Sequence, residues 1–205
     1  MSVEKEPRRY TLRKRADAMQ DTRRRITEAA VELHGSVGPA RTTLSAVAER
    51  AGVQRQTLYR HFPTEDDLFD ACSGHFAETH PLPDVEAWLT LADPAERLEN
   101  ALDELYAYYE RTEGMYVNLF RDETLVPGVG ARLPAFRGFL DGAAGVLAAG
   151  WGARGRRREM LAAAARHAVD FHTWRSLARD GGVRRAGVVE LASAMVSRAA
   201  DGGEA

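Results

Sequence analysis

Gln54, Arg55, Gln56 and Thr57 stand in a row, and their side chains are the ones best equipped to recognise something by hydrogen bonding. Arginine can donate to O6 and N7 of a guanine, glutamine can pair with N6 and N7 of an adenine, and threonine can meet a thymine methyl or a phosphate. The preceding residues say how such a row would be presented. Thr43 can accept a bond from an orphan amide at a helix start and then turn its hydroxyl toward a phosphate, while Leu44, Val47, Ala48 and Ala51 recur at i, i+3, i+4 and i+7 as one buried stripe. Gly52 supplies a positive φ that ends this helix abruptly, and Val53 plugs the angle before the next one. Residues 42–62 therefore read as a helix-turn-helix whose second helix enters a DNA groove, with Leu58 and Phe62 turned to the core.

The same stretch carries a resemblance. An Ala-Gly-Val turn followed by Thr57, Leu58, Tyr59, Arg60, His61, Phe62 and Pro63 resembles the TetR family of bacterial transcriptional regulators across roughly the N-terminal third of the chain. The resemblance implies that Tyr59, through its hydroxyl, and His61, through a ring nitrogen, contact phosphates. One position departs from the family's pattern: Glu65 stands where a lysine near a DNA phosphate is common, although an acid in a first helical turn suits the helix dipole.

The elements that must hold this reader follow from periodicity. Residues 1–15 read as a basic flexible arm, with Arg8, Arg9, Arg13, Lys14 and Arg15 available for a phosphate or minor-groove contact or simply solvated. A first helix is expected over 18–34, with Ile26, Ala29, Ala30 and Leu33 inward and Arg23, Arg24 and Arg25 placed to touch the DNA backbone. Residues 16–63 would form the DNA-binding domain and 64–205 a C-terminal ligand-binding and dimerisation domain. Thr64 with Glu65, Asp66 and Asp67 starts a fourth, connecting helix that breaks near His80, Pro81 and Pro83. Further helices are expected from Asp93-Pro94, over 113–122, 130–149, 156–180 and 184–200. No segment has strand periodicity, so the expected fold is all-α with about nine helices.

Composition bounds the function. The net charge of −2 divides unevenly: residues 1–62 hold 13 Lys and Arg against 7 Asp and Glu, and the remainder holds 15 against 23. Positive charge thus sits with the DNA reader and acidity elsewhere. No apolar run approaches a membrane span, and a cytoplasmic location is expected. The single Cys72, at helical spacing from Leu68 and Phe69, is a core thiol, and neither a metal nor another cofactor is expected.

One recognition helix reads too few base pairs for specificity in a genome, so a homodimer on a palindromic operator is expected. The last two helices hold more apolar side chains than peripheral helices bury alone, and the family resemblance implies that they pair with a second copy. Trp174, Val188, Leu191, Ala192 and Met195 are the candidate interface residues. The resemblance also implies repression relieved by a small molecule. A hydrophobic or aromatic effector would be lined by Trp88, Tyr108, Tyr109, Tyr116, Phe120, Phe136, His167 and Phe171. Two other readings stand beside this one. The C-terminal domain could dock a protein partner, or His167 with Asp170 could serve an all-α enzyme; no catalytic residue is assigned, since neither a phosphate loop nor a nucleophile elbow is present.

Overall fold

The computed structural model describes residues 6–201, and within them every regular element is helical. Eleven α-helices are formed: α1 (Glu6–Ser36), α2 (Leu44–Arg50), α3 (Arg55–His61), α4 (Glu65–Thr79), α5 (Val85–Trp88), α6 (Pro94–Asp122), α7 (Pro127–Gly130), α8 (Leu133–Leu147), α9 (Arg156–Ala168), α10 (Phe171–Arg175) and α11 (Arg185–Asp201). A 3-10 turn (Pro39–Arg41) precedes α2, and a π-helical turn (Ser176–Asp180) follows α10. The all-α expectation holds. The count exceeds nine because α5, α7 and α10 are single turns too short to show a period.

Two compact units divide the described residues: 6–79 with 117–131, and 80–116 with 132–201. The first unit is built on Ile26, Ala29, Ala30, Val47, Ala48, Ala51, Leu58, Phe62, Leu68 and Cys72, so Cys72 is the core thiol its spacing indicated. In this unit α1 packs on α2, α3 and α4, and α7 packs on α4. The unit runs past the expected boundary at residue 63, because α4 and the segment 117–131 pack with the reader.

The flexible arm is corrected over 6–15, which are the opening turns of α1. Arginine and lysine are good helix formers, and Pro7 lies in the first turn, where a missing amide costs no bond. Arg13, Lys14 and Arg15 are exposed on this helix, whereas residues 1–5 and the side chains of Arg8 and Arg9 lie outside the described residues. The arginines that follow have partners within the protein. Arg23 donates to His61 O at 2.5 Å and stacks over the Phe62 ring, Arg24 pairs with Asp21 and Glu28, and Arg25 donates to Ala51 O at 2.5 Å.

In the second unit, α8 packs on α5 and α9, and α9 packs on α10 and α11. The expected break near residue 110 is absent, and 94–122 form one helix. Its only weak point is Gly114, and a lone helical glycine costs only about 1 kcal/mol. The expected helix over 130–149 begins instead at Leu133 as α8, since Pro134 has no amide to continue a helix and fits only a first turn, and the single turn α7 precedes it. The expected helix over 156–180 also breaks, after Val169. Asp170 accepts the amide of His172 at 2.8 Å and starts α10, while the freed carbonyls of Ala168 and Val169 receive the hydroxyls of Tyr106 at 2.7 Å and Tyr109 at 2.5 Å. Gly181 and Gly182 separate the last helices, as expected.

Candidate nucleic-acid interface

The segment expected to read DNA assembles from local rules. Thr43 has extended backbone and accepts the Ala46 amide at 3.1 Å, which is an N-cap bond worth about 1 kcal/mol. Gly52, at φ 65, reverses the chain, and Val53 donates to Ala48 O at 2.9 Å while its half-buried side chain packs on the core. Because Arg25 also binds the carbonyls of Ala51 and Gly52, α1 holds the turn from behind. Leu58 and Phe62 are fully enclosed, and they fix the face that α3 turns inward.

What remains outward is the face expected to meet DNA. Gln54, Arg55 and Gln56 are exposed on the first turn of α3, Thr57 is half-buried, and Tyr59 is exposed. Arg55 Nη2 donates to the Tyr59 hydroxyl at 3.2 Å, so the guanidinium has a resting place across one helical turn. Glu65 is exposed at the start of α4. It shares a groove of about 470 Å³ in the first unit with Thr43, Arg55 and Tyr59. The α4 start is a reciprocal cap: the Asp67 amide donates to Thr64 Oγ1 at 3.1 Å, and the Thr64 amide and hydroxyl both donate to Asp67 Oδ2.

His61 differs from its neighbours. Its ring is half-buried, and Nε2 is enclosed without a hydrogen-bond partner. Burial, followed by the adjacent Arg60 and Arg23 cations, lowers its pKa, so at neutral pH the ring can offer an N–H but no charge.

The candidate ligand residues do not form one group. Tyr108, Tyr109, Tyr116, Phe136 and Phe171 join in a ring cluster of the second unit: Tyr116 lies 4.3 Å from Phe136, and Tyr109 meets Phe171 edge-on at 5.3 Å. The Tyr108 and Tyr116 hydroxyls bond each other at 2.8 Å. Burial raises all three phenol pKa values, so each stays a neutral hydroxyl. Trp88 is buried at α5 and donates to Glu104 at 2.8 Å. Two members lie outside this cluster. Phe120 belongs to the first unit, and His167 is exposed on α9, where its ring bonds the Thr173 hydroxyl. Asp170, the other half of the enzyme reading, is the cap of α10 and pairs with Arg166.

The interface set also divides. Trp174 is fully buried among Tyr109 and Phe171, and Val188 and Ala192 face their own core, so these three are corrected to intrachain packing. Leu191 is 51% exposed, and Met195 is half-buried. With α9, Met195 lines a groove of about 830 Å³ whose other walls include Met160, Ala163 and Ala199.

A capped helix, a glycine turn and a second helix with an exposed polar first turn together define a helix-turn-helix of the DNA-binding class. Residues 26–72 match the family described as bacterial regulatory proteins, tetR family. Over 69 residues it is 41% identical to the HTH-type transcriptional regulator TtgR of Pseudomonas putida, covering 34% of this chain and 33% of TtgR. Over 91 residues it is 31% identical to the HTH-type transcriptional repressor Rv3405c of Mycobacterium tuberculosis, covering 44% of this chain and 46% of that protein. The matched stretches thus span less than half of these relatives. Beyond them the fold is what is shared: a TetR-like transcriptional regulator from Rhodococcus sp. RHA1 superposes with a TM-score of 0.58 at 19% identity, covering 89% of this chain and 97% of that one. Among the described residues no helix is long and apolar enough to cross a membrane.

Proposed function

We propose that the chain is a repressor-type transcriptional regulator that binds a palindromic DNA operator as a homodimer and leaves it when a small apolar or aromatic molecule binds the second unit. The observation that carries this reading is the exposed row Gln54–Arg55–Gln56 on the first turn of α3, held outward by the burial of Leu58 and Phe62. Arg55 reads a guanine, Gln54 and Gln56 read adenine edges or bind phosphate, and Thr43, Thr57 and Tyr59 fix the register on the backbone. His61 contributes a neutral donor, and its enclosed Nε2 must turn outward to do so.

Dimerisation uses the outward face of α9 and α11, where Leu191, Met195 and Met160 stand exposed or half-exposed. The five-ring cluster is the favoured effector site, since its neutral hydroxyls lie among apolar rings and suit an aromatic or hydrophobic ligand with few polar atoms.

The test is selection of duplexes from a randomised library, followed by titration of the selected sequence. Arg55→Ala is expected to weaken binding by roughly 5- to 150-fold and to relax preference at one base pair of each half-site. Unchanged affinity and preference would remove Arg55 as a base reader. Glu65→Lys is expected to tighten binding by roughly fivefold and to steepen the salt dependence by about one unit, as one added phosphate contact would. Binding of the two proteins over a salt series checks this.

A further inference from the structure

Arg55 is the charged residue of the exposed first turn of α3, and its partner is neutral. Nη2 donates to the Tyr59 hydroxyl at 3.2 Å, and the guanidinium carbon lies 5.9 Å from the centre of the Tyr59 ring, at the outer limit of cation–π attraction. Helix geometry makes the pair: residues four apart share a face, and side chains lean toward the N-terminus, so Tyr59 leans back over Arg55. Other arginines of this unit are tied to anions, Arg24 to Asp21 and Glu28 and Arg50 to Glu32. A carboxylate neutralises a guanidinium and competes with a base for its donors, whereas a phenol oxygen leaves the charge whole and takes one N–H of the five. A guanine edge needs only two of the rest. The hydroxyl is not used up either. Tyr59 is 43% exposed, and an oxygen that accepts from Arg55 keeps its own O–H to give to a phosphate.

We infer that Tyr59 determines specificity: its hydroxyl holds the Arg55 guanidinium ready for a guanine while donating to a phosphate, so that base reading and backbone grip are joined through one oxygen. This role rests on the DNA-reading function proposed above, in which Tyr59 met the backbone alone. Tyr59 is a positioning residue, because it acts on the base only through Arg55. The physical basis is order present before binding. A free arginine on a helix surface gives up many rotamers when it meets a base, and one already held gives up fewer. DNA also strengthens the link, because in a chain running from guanidinium N–H to hydroxyl to phosphate each bond polarises the next. A competing partner makes the hold matter more. Glu65 lines the same groove as Arg55 and Tyr59, so a guanidinium released from the phenol has a carboxylate to turn to.

The test compares wild type, Arg55→Ala, Tyr59→Phe and the double variant on two duplexes. One is the sequence that wild type selects from a randomised library, and the other differs from it at the base pair of each half-site where Arg55→Ala loses its preference. Duplexes altered at neighbouring base pairs serve as controls, and affinities are read by fluorescence anisotropy. Phenylalanine keeps the exposed ring and removes only the hydroxyl, so the fold is expected to stand. Tyr59→Phe is expected to weaken binding to both duplexes and to cut the ratio between them by roughly three- to tenfold, at that base pair and no other. In the Arg55→Ala background the same change is expected to weaken both duplexes equally, because no guanidinium remains to be held. A Tyr59→Phe protein whose two affinities fall by one common factor, or do not fall, overturns the hold and leaves Arg55 standing as the base reader. Preference lost across the neighbouring base pairs overturns it as well, since a displaced helix would give that result. Arg55→Ala with undiminished preference overturns the base reading and the hold with it, and wild type that selects no duplex overturns the DNA-reading function itself.

Discussion

Replacing Arg97 by alanine is expected to destabilise the second unit by about 2 to 3 kcal/mol, a fall of roughly 10 °C in its thermal midpoint. Arg97 is 7% exposed, and none of its hydrogen bonds goes to a carboxylate. Its guanidinium donates instead to the carbonyls of Leu91 and Ala92, in the loop before α6, and to those of Val146 and Ala149, where α8 ends. The C-terminal end of a helix carries a partial negative charge from carbonyls without donors, so a cation there is favoured electrostatically as well as by its bonds. Alanine would remove the donor that four carbonyls share; those of the exposed Ala92 and Ala149 can turn to water, while Leu91 and Val146 are half-buried and pay more for the loss. Lysine would supply charge but not the fork, and Arg97→Lys is expected to recover less than half of the loss. Differential scanning calorimetry on the three proteins checks both statements. An alanine variant as stable as wild type would show that the buried guanidinium's bonds are balanced by its desolvation.

Acidification provides the second large effect. His34, in the last turn of α1, is 7% exposed and stacks on Phe69 with ring centroids 5.3 Å apart. Burial lowers its pKa to about 4, against the opposing pull of Asp122. The folded protein thus holds this ring neutral while the unfolded chain protonates it below its ordinary pKa of about 6.5. Stability is whole above that value, declines as the pH falls from there to about 4, and levels off below. The span corresponds to about 3 kcal/mol for this residue. The lowered pKa of His61 adds in the same direction. Asp122 does not interfere, because the Arg121 guanidinium holds its carboxyl below the usual carboxylate range and it stays ionised through the window. Urea unfolding of the first unit at pH 7.5, 5.5 and 4.5 should show the loss, and His34→Phe should flatten most of it. A slope that survives unaltered in the variant would place the acid sensitivity elsewhere.

How far such features could be foreseen depended on where each bond goes. Thr43 and Ala46, and Thr64 and Asp67, are three residues apart, and Gly52 acts on its own φ, so the whole reader is written in local spacing. The same locality made Cys72 legible as core. Arg97 and Asn118 were not legible, because their acceptors are backbone carbonyls as far as 52 and 84 residues away. Every residue has a carbonyl, so the acceptor leaves no mark in the sequence. Trp174 misled for a related reason: apolar periodicity shows that a helix has a buried side but not whether its own chain or a second copy covers it. The partition of the aromatic candidates was hidden as well. Phe120 follows Tyr116 by one helical turn, yet a unit boundary falls between them.

That boundary also has a consequence for how the protein is made. The family match ends at residue 72, but the unit that contains it is drawn from two separate stretches of chain, with Val129 of the second one 2% exposed. A ribosome delivers the chain from its N-terminus, so the reader emerges well before the piece that completes it. Some forty residues of the other unit must be synthesised first. The first unit therefore stays incomplete until residue 131 has been translated, and a single cut in the gene releases it whole as an N-terminal fragment only with residues 80–116 of the other unit still attached.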